Sequence, residues 1–96
     1  MSPGTADRGL FYLNRMRELP KNWSEHNNAL VREFQFDAYL DGVEFVRQVA
    51  ELAELVQHHP QITIDYTNVL ISLQTHDAGN VVTEKDLEMA NAINRL

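Results

Sequence analysis

Ninety-six residues make one domain, near the size at which a monomer buries only a modest share of its surface. A formal charge of −6 argues against non-specific nucleic-acid binding, and the absence of cysteine removes disulfides, thiol nucleophiles and thiolate metal sites. No stretch is long enough to span a bilayer, and Met1–Gly9 lacks the apolar core of a signal peptide, so a cytoplasmic protein with no membrane partner is expected.

Met1–Gly9, rich in small and polar residues, reads as a flexible arm. Leu10 to Leu19 has the spacing of a short helix, stopped by Pro20. Trp23–His26 is a candidate strand, with turn chemistry in Asn27-Asn28. Ala29–Phe36 alternates as a second strand, placing Leu30, Phe34 and Phe36 on one face and Val31, Glu33 and Gln35 on the other.

Asp37 is a candidate N-cap for a long helix over Ala38–Gln57. Tyr39, Val43, Val46, Ala50 and Ala53 form one apolar stripe, and Phe45, Val49, Leu52 and Val56 a second beside it. Together they are wider than the arc of roughly 100° that one core requires, which points to a homo-oligomer packed through this helix. Ile62, Ile64 and Tyr66 then alternate as a strand, Thr67-Asn68 is the expected turn, and Val69 to His76 alternates as its hairpin partner. Thr83 and Asp86 form a box-like cap for a last helix whose inward face is Leu87, Ala90 and Ile93. The predicted fold is α+β: a four-stranded antiparallel sheet with three helices on one face, in the order α-β-β-α-β-β-α.

Three of the four histidines, His58, His59 and His76, gather in the stretch from the end of the long helix to the end of the hairpin. Imidazole titrates near neutrality, so such a group suits proton transfer. Glu54, one turn before His58, can reach either ring of the doublet. Trp23 can stack on a flat heterocycle or plug the core. Asp86 can bond an imidazole or only complement a helix dipole. Tyr66 reads as strand packing, Asp77 as a turn residue and His26 as a solvated loop residue. A zinc site is the competing reading, but the doublet lacks the i, i+4 spacing that lets two helical ligands share one ion, so no metal is expected.

In order along the chain stand Glu54, His58-His59-Pro60, Tyr66 after five intervening residues, His76 after nine more, and Asp86 after a further nine. This pattern resembles the signature of the pterin-4a-carbinolamine dehydratase family, and the resemblance runs from Trp23 to the last helix. It implies a lyase that removes water from a 4a-hydroxytetrahydropterin to give the quinonoid dihydropterin, in tetrahydropterin recycling and without a cofactor. It also implies His58 and His59 as the acid–base pair and His76 as the contact to the 4a-hydroxyl. Trp23, Glu54, Pro60, Thr75, Asp77 and Asp86 would then surround the substrate. A dimer of dimers through the Ala38–Gln57 helix is implied as well.

Two departures stand out. Gln61-Ile62 replaces the aromatic residue that many members carry, and Gly79-Asn80-Val81-Val82 is one residue longer than the usual Gly-Gly segment. The wider family also includes proteins of molybdopterin metabolism, assembly proteins with little dehydratase activity, and animal dimerisation cofactors of a homeodomain transcription factor. A dehydratase-like or protein-binding role is therefore the alternative.

Overall fold

The computed structural model describes residues 18–96. Four strands, β1 (Ser24–His26), β2 (Ala29–Gln35), β3 (Gln61–Asp65) and β4 (Asn68–Leu73), form one antiparallel sheet in the order β1-β2-β4-β3. Helix α1 (Tyr39–Val56) joins β2 to β3, and helix α2 (Glu84–Asn94) follows β4. The expected helix over Leu10–Leu19 lies outside the described residues except for Glu18 and Leu19, which are not helical.

Alternation decides which face is covered. The pairs Leu30↔Leu73, Phe34↔Val69 and Ile62↔Ile71 put most of the apolar residues of β2, β3 and β4 on one side. There they meet Val49 and Ala53 of α1 and Leu87, Ala90 and Ile93 of α2, giving a single core. α1 lies against β3 and β4, and α2 against β2. Gly42 lets α1 approach closely: a Cβ there would stand 3.3 Å from Cγ2 of Val69. Arg32, a charged residue on the covered face, lays its guanidinium 4.2 Å from the Phe34 ring centroid and donates to Asn94 Oδ1 at 2.6 Å.

Turn chemistry closes β1 to β2 as expected, with Asn27 and Asn28 both left-handed at φ 52° and 64°. Several boundaries differ. Ala38, not Asp37, is the N-cap of α1 and makes no side-chain cap bond; helix ends are the least determined part of any periodic pattern. His26 belongs to β1 rather than a loop. The β3–β4 turn is Tyr66-Thr67, one residue before the expected Thr67-Asn68, since Asp65 pairs with Asn68. Both turns keep every apolar residue on the same face, because moving the turn by one shifts the pairing by two. Thr67 O accepts the Phe36 N–H at 2.9 Å, which ties the observed turn to the end of β2. Tyr66 is then left-handed at φ 55° and 74 % exposed, so it is not strand packing. β4 also stops at Leu73, short of the expected His76.

α1 turns Gly42, Val49 and Ala53 fully inward, with Phe45, Val46 and Leu52 beside them. Tyr39 and Ala50 of the first expected stripe face outward. On the outer face, Arg47 bonds Glu44 and Glu51, at 2.7 and 2.5 Å, and its hydrogen bond and charge hold the Glu44 carboxyl below the usual carboxylate range. Leu40 and Leu55 flank that ladder at 72 % and 81 % exposure. No helix among the described residues is long and apolar enough to cross a membrane.

The two faces of β4 give a direct test. Ile71→Ala empties a buried position and is expected to cost about 2–5 kcal/mol. Leu70→Ala, next to it on the open face, should change stability by no more than about 0.5 kcal/mol. Urea denaturation of both variants checks this, and equal losses would contradict the register.

Candidate active site

The C-terminus of α1 builds the first half of the site. Gln57 takes the left-handed conformation, φ 55° and ψ 46°, and its N–H returns to Ala53 O. The His58 N–H returns to the same carbonyl at 3.1 Å. The Gln57 amide folds back on Glu54 O at 2.7 Å, and Pro60 leads straight into β3. Beyond this tight stop His58, His59 and Pro60 form no regular element, and the proline disfavours helical backbone at His59.

The doublet is split. His58 turns inward, its ring only 12 % exposed, and its Nε2 lies 2.5 Å from Asp86 Oδ1. His59 turns outward, half exposed, and its Nε2 lies 2.5 Å from Glu54 Oε2. An ionised carboxylate only accepts, so each ring presents an N–H to its acid. Nδ1 of each ring is left without a hydrogen-bond partner among the described residues. A ring held this way at one nitrogen is oriented to exchange a proton at the other.

Asp86 is the centre of the inner half. It is fully buried, a position that requires a carboxylate to be hydrogen-bonded on all sides. Oδ1 faces His58, while Oδ2 accepts from Thr83 N and Thr75 Oγ1, both at 2.8 Å. Thr83 is the N-cap of α2 and Asp86 its third residue, so the capping box read from the sequence is present. The two readings of Asp86, cap and imidazole partner, are both realised in one side chain.

Thr75 lies just past the end of β4, at the edge of the sheet where β3 begins, since Gln61 pairs with Ser72. Past Leu73 the chain makes one further bridge, Thr75↔Val81, before turning through a 3-10 segment at His76–Ala78. Thr75 is buried and its hydroxyl lies 2.6 Å from that of Thr83, so it is committed to protein partners. His76 is exposed on the 3-10 turn, where its Nδ1 bonds Asn80 Oδ1 at 2.6 Å. Gly79 and Asn80, both left-handed, close this loop, and Gln74 ties it to the β1–β2 turn by donating to Asn80 O and Asn28 O. The extra length seen in the sequence at Gly79–Val82 thus contains the partner of His76. Asn80 was not legible as such, because its contact depends on two successive left-handed residues.

The remaining expected site residues fall apart from this group. Trp23 is 5 % exposed, packs edge-on against Phe34 at 6.3 Å and donates to Asn94 Oδ1 at 2.8 Å, so its indole is core. Asp77 is exposed and its carboxylate makes no hydrogen bond to the histidines; Pro60 is a half-buried joint. His76 makes no hydrogen bond to His58 or His59. No three His, Asp or Glu side chains among the described residues converge as metal ligands, since the doublet is divided between two acids. A shallow groove of about 210 Å³ lies on the open sheet face, between His26, Val31, Gln61, Thr63, Leu70 and Ser72, and includes none of the three clustered histidines.

Comparison with known proteins gives the family. Residues 12–96 match the family described as pterin 4 alpha carbinolamine dehydratase. Two relatives provisionally named pterin-4-alpha-carbinolamine dehydratases come from Haloarcula marismortui and Mycolicibacterium smegmatis. The first is 43 % identical over 79 % of this chain and 82 % of its own length. The second is 47 % identical over 77 % and 78 %. A solved transcriptional coactivator/pterin dehydratase from Brucella melitensis superposes with a TM-score of 0.74 at 30 % identity, covering 96 % of this chain and 95 % of that one. A pterin dehydratase-like protein identified as a RuBisCO assembly factor of the alpha-carboxysome gives 0.65 at 27 % identity, covering 77 % and 87 %. The chain belongs to the pterin 4 alpha carbinolamine dehydratase family.

Proposed function

We propose that this protein is a dehydratase acting on a 4a-hydroxytetrahydropterin, with His58 and His59 as its proton carriers. The observation that carries the reading is the divided doublet: two adjacent imidazoles, each held at Nε2 by its own carboxylate, one buried and one open to water. Loss of water from the carbinolamine breaks the C4a–O bond and forms a C4a=N5 double bond. One imidazolium gives its proton to the departing hydroxyl, and one neutral imidazole takes the proton from N5. The pair has then exchanged roles, and a proton passed back through solvent resets it. His76, anchored by Asn80, is the candidate contact to the 4a-hydroxyl.

We also propose a homo-oligomer, a dimer of dimers, assembled through α1. The support is the exposed pair Leu40 and Leu55 at the two ends of the charged ladder. Fifteen residues of helix separate them by about 22 Å. An antiparallel pair centred on Arg47 would set the Leu40 end of one helix against the Leu55 end of the other. A second reading, a protein-binding assembly factor, draws on the same outer face and on the likeness to the RuBisCO assembly factor. Partner binding that survives His59→Ala, in a protein without turnover on carbinolamine, would favour it.

Four outcomes are expected. His59→Ala should lower turnover of freshly generated carbinolamine by about 10²–10⁴-fold, with little effect on folding or on binding of a product-like pterin. His58→Ala should lose turnover similarly and also about 1–3 kcal/mol of stability, because it leaves a buried carboxylate oxygen without its donor. Wild-type turnover in both variants would sink the assignment. Exhaustive chelation should leave activity unchanged, since the doublet's nitrogens are turned to different acids; loss restored by zinc would reverse this. Leu55→Arg should shift sedimentation towards smaller species, and a monomeric wild type at micromolar concentration would end the oligomer reading.

A further inference from the structure

Thr75 and Thr83 carry no part of the proton transfer, yet their hydroxyls meet at 2.6 Å beside the buried acid. The direction of this chain can be worked out. Thr75 Oγ1 donates its one hydrogen to Asp86 Oδ2 at 2.8 Å, so in the contact between the hydroxyls Thr75 accepts and Thr83 donates. Thr83 N adds a second donor to the same oxygen. Oδ2 of Asp86 thus receives two hydrogens from fixed donors and has none to give. An ionised Asp86 then accepts at Oδ1 as well, so the hydrogen in its contact with His58 is the ring's, on Nε2.

We propose that Thr75 and Thr83 are positioning residues whose one-way hydroxyl chain sets the tautomer of His58, holding hydrogen on Nε2 and leaving Nδ1 bare. The effect on catalysis rests on the dehydratase reading; the effect on the ring does not. With the chain intact, Asp86 is locked as an acceptor and His58 is ready to take a proton at Nδ1. Without the Thr75 hydroxyl, Oδ2 keeps a single donor, and the carboxyl group is free to rotate or to carry a hydrogen of its own. His58 would then populate the opposite tautomer, with Nδ1 already occupied.

Nitrogen NMR of the histidine-labelled full chain reads the tautomer directly and needs no substrate. The wild type and Thr75→Ser, which keeps the hydroxyl, should give the pattern of a single Nε2–H ring at His58. Thr75→Val, nearly the same in volume, should give a mixed or inverted pattern. Its kcat should fall roughly tenfold or more with KM little changed, and Thr75→Ser should recover most of it. If Thr75→Val fails to fold, Thr83→Ala is read instead, and a smaller displacement in the same direction is expected. An inactive wild type whose tautomer still responds to Thr75→Val would strike the dehydratase reading and support this one. An unchanged Nε2–H pattern in the folded variant, with only the unfolding midpoint lowered, would overturn the proposal.

Discussion

One buried carboxylate, Asp86, joins three parts of the chain that are far apart in sequence. Its oxygens accept from the residue just past α1, from the end of the β4 segment and from the N-cap of α2. A charged group in a dry interior must have all its bonds satisfied, so these partners cannot drift independently. The same requirement that makes the position costly to fill makes it rigid once filled. The helix, the strand end and the second helix are therefore brought to a common point, and that point touches His58.

The outer half of the doublet follows a different regime. His59 and Glu54 meet in water, where such a pair contributes little to stability and is free to break. One ring is thus held by the fold while its neighbour in sequence stays in contact with solvent protons. This asymmetry arises where the chain leaves α1 through the left-handed Gln57, after which the two rings go to different acids.

α1 serves both the core and the surface. Its inner face is set close to β4 by Gly42, which lies against Val69, and Val49 and Ala53 further along join the same core. Its outer face holds a charged ladder bracketed by two leucines. A helix of this kind positions the site with one side and leaves the other available for a second surface.

Local and periodic features were legible in the sequence. Alternation in Ala29–Gln35 and Asn68–Leu73, the Asn27-Asn28 turn, the Thr83–Asp86 box and the inward face Leu87, Ala90 and Ile93 each depend on neighbours within one or two turns. The order of Glu54, the histidine doublet, His76 and Asp86 was likewise readable as a pattern, and with it the family. Tertiary structure decided what these groups do to one another. The β3–β4 turn could sit at either of two positions without moving an apolar residue off its face, so alternation alone could not choose between them. Trp23 could have been platform or core; only its packing on Phe34 and its bond to Asn94 made it core. His58 and His59 are equivalent in the sequence and opposite in the fold, because burial and the choice of acid are properties of three-dimensional contact, which spacing along a chain does not contain.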